Sequence, residues 1–256
     1  MEKTNKRLHL LDAYRGFVVL NMIAYHFCYD YFVLFSGEGN WIFNKNVYIW
    51  EQYICISFIF LSGFVWNFNT RSKLKRGLIV SLFGVLLTLV TAGLGPDIAI
   101  YYGVLFLIGA SMLILIPLSK WLDKLPSIAV FLLSFFLYLF TFSIPARHLG
   151  IHKLKLISLP DYLYQHQALV PFGFLKEGFV SADYFPIMPW FFLFIAGYAF
   201  NRVLKDGGVF SREKFMKIAS IKIPILDFLG KHSLFIYLIH QPICMGILTL
   251  VFWGRA

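Results

Sequence analysis

The sequence predicts an all-helical (all-α), polytopic transmembrane bundle of about seven spans. Three observations predict it. The 256-residue chain is 59% hydrophobic and only 14% charged, whereas a soluble domain carries roughly 25% charge. Its apolar residues gather into successive runs of about 18 or more, the length at which a helix crosses the hydrocarbon of a bilayer. Most of its 23 Lys and Arg fall between those runs, where the positive-inside rule places them. The formal net charge of +10 is therefore read as a topology signal, and no nucleic acid is expected as a partner. Residues 1–256 are read as a single membrane domain.

The first run, about 10–35, is apolar yet carries Asp12, Arg15, His26 and Asp30. At 100° per residue these four lie within roughly a 60° arc. Charged groups at membrane depth face a protein interior or a watery cavity. His26 and Asp30 are one turn apart and are expected to touch, which makes them the candidate catalytic pair. Asp12 and Arg15 sit near the membrane edge, where an Arg can snorkel, and also suit an internal ion pair that only holds helices together.

A second run covers about 47–68 and contains the small pair Ser62-Gly63, which allows close helix approach. The basic residues Arg71, Lys73, Lys75 and Arg76 are read as a loop before a short third helix, about 78–91. A turn at 94–97 leads into the fourth helix, about 98–118, which is expected to begin with Tyr101-Tyr102-Gly103. The fifth, very aromatic, covers about 128–144. The stretch 145–183 spans nothing and holds His148, His152, Asp161, His166, Gln167 and Lys176. Its middle, 162–175, is too short to cross and is read as re-entrant or surface-lying. The sixth run, about 184–201, has Pro186 and Pro189 in its first turns, where proline costs no hydrogen bond. A basic segment, 202–231, includes 221–228, read as lying along the membrane surface. The last run, about 233–252, carries Tyr237, His240 and Gln241. Gly63, Gly109 and Gly197 inside the runs are read as helix-packing positions.

With the N-terminus in the cytoplasm, inner segments hold about sixteen of the Lys and Arg and outer segments about six. That bias predicts N-in and C-out. No cleavable signal peptide is expected, because the first run is too long and ends without a small-residue cleavage site. Cys28, Cys55 and Cys244 fall inside predicted helices without metal spacing, so no metal is expected.

Histidine carries protons or acyl groups near neutral pH. An aspartate within reach would orient the imidazole and stabilise its charged form. The chain has no GxSxG or HExxH motif and no nucleotide-binding glycine loop. The same intramembrane charges would also suit a small transporter or a non-catalytic membrane assembly protein. No inverted halves are evident, and the His-Asp pair belongs to one helix, which weighs against transport.

Several motifs resemble those of one family. They are Leu11-Asp12-Ala13-Tyr14-Arg15-Gly16 leading to Met22 and His26, and Phe58-Ile59-Phe60-Leu61-Ser62-Gly63. Further on come residues 72–77, Asp183-Tyr184-Phe185-Pro186 with Pro189-Trp190, and Leu229-Gly230-Lys231-His232-Ser233 leading to Tyr237 and His240. Across nearly its whole length the chain resembles the membrane domain of heparan-alpha-glucosaminide N-acetyltransferase and its small bacterial relatives, within the transmembrane acyltransferases. Where members often carry a His after the Gly-Val-Leu of the fourth helix, this chain has Phe106.

The resemblance implies transfer of an acetyl or acyl group from a coenzyme A thioester, acetyl-CoA or another acyl-CoA, to an amine or hydroxyl of a sugar or glycan. The large outer domain of the animal enzyme has no counterpart, so a heparan acceptor is not expected. His26 and Asp30 are the expected catalytic residues, with His240, Tyr237 and Asp12 in support. Arg15, Arg71, Lys75 and Arg76 are the expected donor-binding residues; a guanidinium can grip a phosphate with two parallel hydrogen bonds. The expected setting is a bacterial inner membrane. Expected partners are the thioester, the glycan and the bilayer, with a homodimer allowed for.

Overall fold

The computed structural model describes residues 8–68, 72–151, 154–209 and 213–253. Among these, seven helices of 19 to 27 residues are long and apolar enough to cross a membrane. The chain is almost entirely helical, as a polytopic transmembrane bundle requires. It divides into two compact units: Met1–Phe58 with Gly208–Ala256, and Ile59–Gly207.

The first unit is organised on α1 (His9–Tyr29), which continues as a π-helical turn over Asp30–Phe35. Against it lie the first part of α2 (Lys45–Val65), then α7 (Glu213–Ala219), α8 (Pro224–Lys231) and α9 (Ser233–Trp253). Val18, Met22 and Ile54 form its core, with Tyr25, Trp50, Phe58 and Tyr237 packed around them. Two polar contacts fix α2 on α1: Trp50 Nε1 donates to Asn21 Oδ1 at 3.0 Å, and the Tyr14 and Ser57 hydroxyls lie 2.9 Å apart. The short α8 docks backbone to backbone. A Cβ on Gly16 would sit 2.0 Å from the Leu226 carbonyl oxygen, and one on Gly230 would sit 1.8 Å from that of Asp12. Only glycine permits this approach. Helix α8 starts on Pro224, whose missing N–H costs nothing there.

The second unit contains the end of α2, then α3 (Lys73–Leu94), α4 (Val104–Leu122), α5 (Ser127–Thr141), a hairpin of β1 (His148–Ile151) and β2 (Leu154–Ser158), and α6 (Ile187–Asp206). The expected packing glycines do pack. A Cβ on Gly63 would meet the Phe194 carbonyl oxygen at 2.0 Å, and one on Gly197 that of Phe60 at 2.1 Å. One on Gly109 would meet the Ser81 backbone nitrogen at 2.6 Å. On α3, Leu82, Leu86, Leu89 and Val90 are exposed, as on a helix that faces lipid.

Three expectations change. The third helix is longer than the apolar run 78–91, because Lys73, Lys75 and Arg76 are helical rather than loop. Lys and Arg are good helix formers, and their long stems can lie on apolar surface; the Lys73 ammonium does so, 3.4 Å from the centre of the Trp66 ring. The fourth helix starts at Val104, six residues later than expected, because Tyr102 has φ +56°, which an α-helix cannot contain. Finally, the stretch 145–183 contains an antiparallel two-stranded sheet, pairing His148 with Ser158 and Leu149 with Ile157. The region 162–175 holds parts of two 3-10 turns, Asp161–Gln165 and Gln167–Phe172.

The ends of the second unit differ in chemistry. At one end Arg202 donates to the carbonyls of Leu122, Asp123 and Leu125, and Asp123 accepts from Tyr198. The ammonium of Lys205 lies over Phe68, 5.4 Å from the ring centre. This end gathers cations. At the other, Asp183 caps α4 by accepting from the Val104 N–H at 3.1 Å.

Candidate active site

The polar stripe of α1 is covered by two different helices. Near its start, Asp12 is buried and Arg15 half-buried. Arg15 Nη1 reaches Asp12 Oδ1 and the Gly230 carbonyl, both at 3.4 Å. These contacts tie the stripe to α8. One turn earlier, His9 Nδ1 meets Asp227 Oδ2 of α8 at 2.8 Å. Sequence reading missed that pair, since His9 lies just before the first apolar run and Asp227 in a segment read only as lying along the membrane surface.

Further along, α9 takes over. The rings of His26 and His240 lie 4.8 Å apart, tilted by 58°. His240 is 7% exposed, and its Nδ1 lies 2.7 Å from the Tyr237 carbonyl oxygen. A carbonyl only accepts, so Nδ1 carries a proton, and in the neutral ring Nε2 then keeps its lone pair. Nε2 is buried and has no partner among the described residues. The Tyr237 ring packs 5.5 Å from that of His240. The ring of Tyr25 also meets His26, perpendicular at 5.7 Å, and itself packs on Trp41 and Trp50. The two imidazoles are thus held in an aromatic surround.

The expected His26–Asp30 contact is not made among the described residues. Asp30 is 0% exposed, and its carboxylate accepts from Gln241 Nε2 at 2.8 and 3.1 Å. The reason lies in α9, whose adjacent residues His240 and Gln241 face neighbouring turns of α1. Gln241 offers the donors that a buried carboxylate needs, and His240 offers a ring face to His26. Gln241 was visible in the sequence as a polar residue in an apolar helix, but its spacing names no partner. The chain leaves α-geometry at this point: the backbone N–H of Ser36 reaches the Tyr31 carbonyl at 2.8 Å, an i→i+5 bond. Such π turns occur often at functional sites.

The expected donor-binding residues divide between the units. Arg15 belongs to the first. Lys75, exposed, and Arg76, half-buried, stand in the first turn of α3 in the second. Arg71 lies outside the described residues, as does His152.

This arrangement can accept and return a proton at a buried imidazole, and it can stabilise positive charge near Asp30. A family model described as heparan-alpha-glucosaminide N-acetyltransferase, catalytic, matches residues 7–242, a span that includes every residue just placed on α1, α8 and the first half of α9. No curated protein and no solved structure matches the chain.

Proposed function

We infer the reaction from one premise: the chain belongs to the heparan-alpha-glucosaminide N-acetyltransferase catalytic family, and it is a membrane acyltransferase. The donor we assign is a coenzyme A thioester, with acetyl-CoA first in line, and the acceptor is an amine or hydroxyl of a sugar or glycan. The observation that carries the assignment of the site is the His26–His240 ring pair, His240 buried and His26 half-buried, with one ring nitrogen of His240 committed to a backbone carbonyl and the other without a partner among the described residues.

In this reading His26 handles the transferred group. As a nucleophile, its ring nitrogen attacks the thioester carbonyl, the C–S bond breaks, and the thiolate leaves and takes up a proton. The acceptor then attacks the acyl-imidazole, the C–N bond to the ring breaks, and the acceptor's proton passes to the freed ring nitrogen. As a base, His26 instead removes the acceptor's proton while the acceptor attacks the thioester carbonyl directly; the C–S bond breaks and the protonated ring returns its proton to the leaving thiolate. In both routes His240 supports His26 through its free Nε2, and Asp30, fixed by Gln241, offsets the positive charge that develops. Tyr237 positions His240 through its carbonyl.

Arg15 binds the donor's phosphates, and Asp12 orients Arg15. By the loop charges, Lys75 and Arg76 are read at the cytoplasmic face, where they would add positive potential for an anionic donor, and the N-terminus is read as cytoplasmic. A bacterial inner membrane is the setting this topology suits.

The test incubates detergent-purified protein with radiolabelled acetyl-CoA, with and without amino sugars. Label retained on wild type without acceptor and absent from His26→Ala establishes the covalent route. Product without protein label makes His26 the base. Unchanged transfer by a folded His26→Ala variant removes His26 from the reaction.

A further inference from the structure

A cleft of about 460 Å³ lies in the second unit, lined by Tyr101, Tyr102, Phe179, Gln167, Lys176 and Glu177 among others. Its walls come from two segments stitched together. The Tyr101 N–H donates to Ser181 Oγ at 2.9 Å, the Phe185 N–H to the Tyr102 carbonyl at 2.9 Å, and the Ala182 N–H to the Ala99 carbonyl at 2.9 Å. A turn closed by the Phe179 N–H on the Lys176 carbonyl at 3.1 Å, with Gly178 at φ +78°, aims Phe179 at the other segment. The Phe179 ring then lies 6.3 Å from both Tyr101 and Tyr102 and 5.3 Å from Tyr184.

Tyr102 is the informative residue. Its φ of +56° is uncommon for anything but glycine. A bulky side chain held in that region stores strain, and such strain gathers at ligand sites. Nothing about the turn itself calls for a tyrosine. The ring does have a use, since it forms one wall of the cleft.

The chemistry of the lining narrows the occupant. Aromatic faces are electron-rich and attract polarised C–H groups. Gln167, Lys176 and Glu177 add donors and acceptors around them, with one positive and one negative charge that cancel. A lipid tail would gain nothing from these three. A pyranose ring matches both features, with C–H groups on its face and hydroxyls on its rim. The volume falls among small-molecule sites.

We propose that this cleft is a saccharide-binding site in which a pyranose ring of the acceptor glycan lies on the aromatic wall made by the contacting rings of Tyr102 and Phe179. The choice of a sugar rests on the acyltransferase reading above; the site itself rests on the cleft. The experiment measures binding without any donor, by saturation-transfer NMR and calorimetry on the full chain in detergent. The probes are the β-1,4-linked tetrasaccharide of N-acetylglucosamine and its de-N-acetylated form.

Tyr102→Gly removes the ring while suiting the backbone, so it should keep or raise the thermal midpoint and weaken binding about tenfold. Tyr102→Phe should retain binding, and Phe179→Leu should weaken it. No saccharide binding to wild type, or equal affinity in Tyr102→Gly and Phe179→Leu, overturns the proposal. Acyl transfer to hexosamines with an unchanged acceptor KM in Tyr102→Gly overturns the cleft and leaves the acyltransferase reading standing. Tyr102-dependent sugar binding by a protein that transfers nothing to any sugar supports the cleft and overturns the acceptor assignment instead.

Discussion

Replacing Gln241 by Leu removes the hydrogen-bonding side chain that, among the described residues, reaches Asp30. Its amide nitrogen spans both carboxylate oxygens, at 2.8 and 3.1 Å, and Asp30 is 0% exposed. Leu fills similar volume and offers no donor, so a buried acceptor loses its partner. That loss costs about 1–3 kcal/mol for a neutral group and more for a charged one, and breaking a buried pair reaches roughly 3–5 kcal/mol. We expect Gln241→Leu to destabilise by about 2–4 kcal/mol. At roughly 2–4 °C per kcal/mol for a chain of this size, Tm should fall by about 4–16 °C. The same physics predicts that the double variant Asp30→Leu/Gln241→Leu recovers most of the loss, to within about 1 kcal/mol of wild type, because removing both partners leaves nothing unsatisfied. Thermal unfolding in detergent, followed by tryptophan fluorescence, reads both. The double variant also separates roles: stable but inactive protein assigns Asp30 to the reaction, and stable active protein assigns it to packing. A silent Gln241→Leu, or a double variant at least as unstable as the single, would refute the reasoning.

Three further outcomes are expected. Gly63→Ala must move α2 and α6 apart by about 1.4 Å to bring its Cβ from 2.0 Å to ordinary contact with the Phe194 carbonyl oxygen, at about 1–3 kcal/mol; since Gly197→Ala needs the same movement, the unfolding cost of the double variant should fall well short of the sum. Arg15→Gln should raise the KM for acetyl-CoA about tenfold or more while Lys75→Gln changes it little, and equal small effects would leave Arg15 a structural residue. Burial, with Tyr102 beside it, pushes the Tyr184 phenol above its ordinary value, and its hydroxyl donates to the Val170 carbonyl at 2.6 Å. Its stabilising contribution is therefore complete below about pH 10 and is lost as pH climbs through the raised value; Tyr184→Phe should cost about 1 kcal/mol at neutral pH and flatten the alkaline fall in Tm.

The spans were legible because run length and loop charge report on the bilayer, a solvent with sharp demands. Gly63, Gly109 and Gly197 were legible for a related reason: between helices in lipid, close approach replaces hydrophobic driving force. The boundaries were less so. Lys73, Lys75 and Arg76 read as loop by charge, although charge does not stop a helix whose first turn reaches water. Tyr101-Tyr102-Gly103 read as a helix start because nothing local announces a positive φ at a tyrosine. Its cause is distant in sequence, in the hydrogen bonds to 181–185. The hairpin at 148–158 depends on pairing between strands of only four and five residues, too short for alternation to show.

The candidate site followed the same division. One helix's periodicity placed Asp12, Arg15, His26 and Asp30 on a common face, and the structure buries Asp12 and Asp30, the latter completely. Periodicity within a helix cannot choose between partners on the same helix and partners on another. Asp30 and His26 are one turn apart, yet in the structure the carboxylate takes its donor from Gln241 Nε2 on another helix. The choice of Gln241 leaves His26 to His240.

This consequence bears on how one stripe could serve two tasks. Arg15 and His26 are eleven residues apart, which at 1.5 Å per residue separates them by about 17 Å along α1. The guanidinium is steadied by α8 through the Gly230 carbonyl, and the imidazole by α9 through the His240 ring. A donor with phosphates at one end and a thioester at the tip of a long arm matches that spacing, and each end of the stripe has its own support. Because α8 is seated on Gly16 and Gly230 by backbone contact, a side chain added at either glycine should shift Arg15 and leave the His26–His240 pair in place. Gly230→Ala should then raise the KM for the donor more than it lowers kcat. The reverse split would place the influence of α8 at the imidazoles, and the two ends of the stripe would have to be treated as one site.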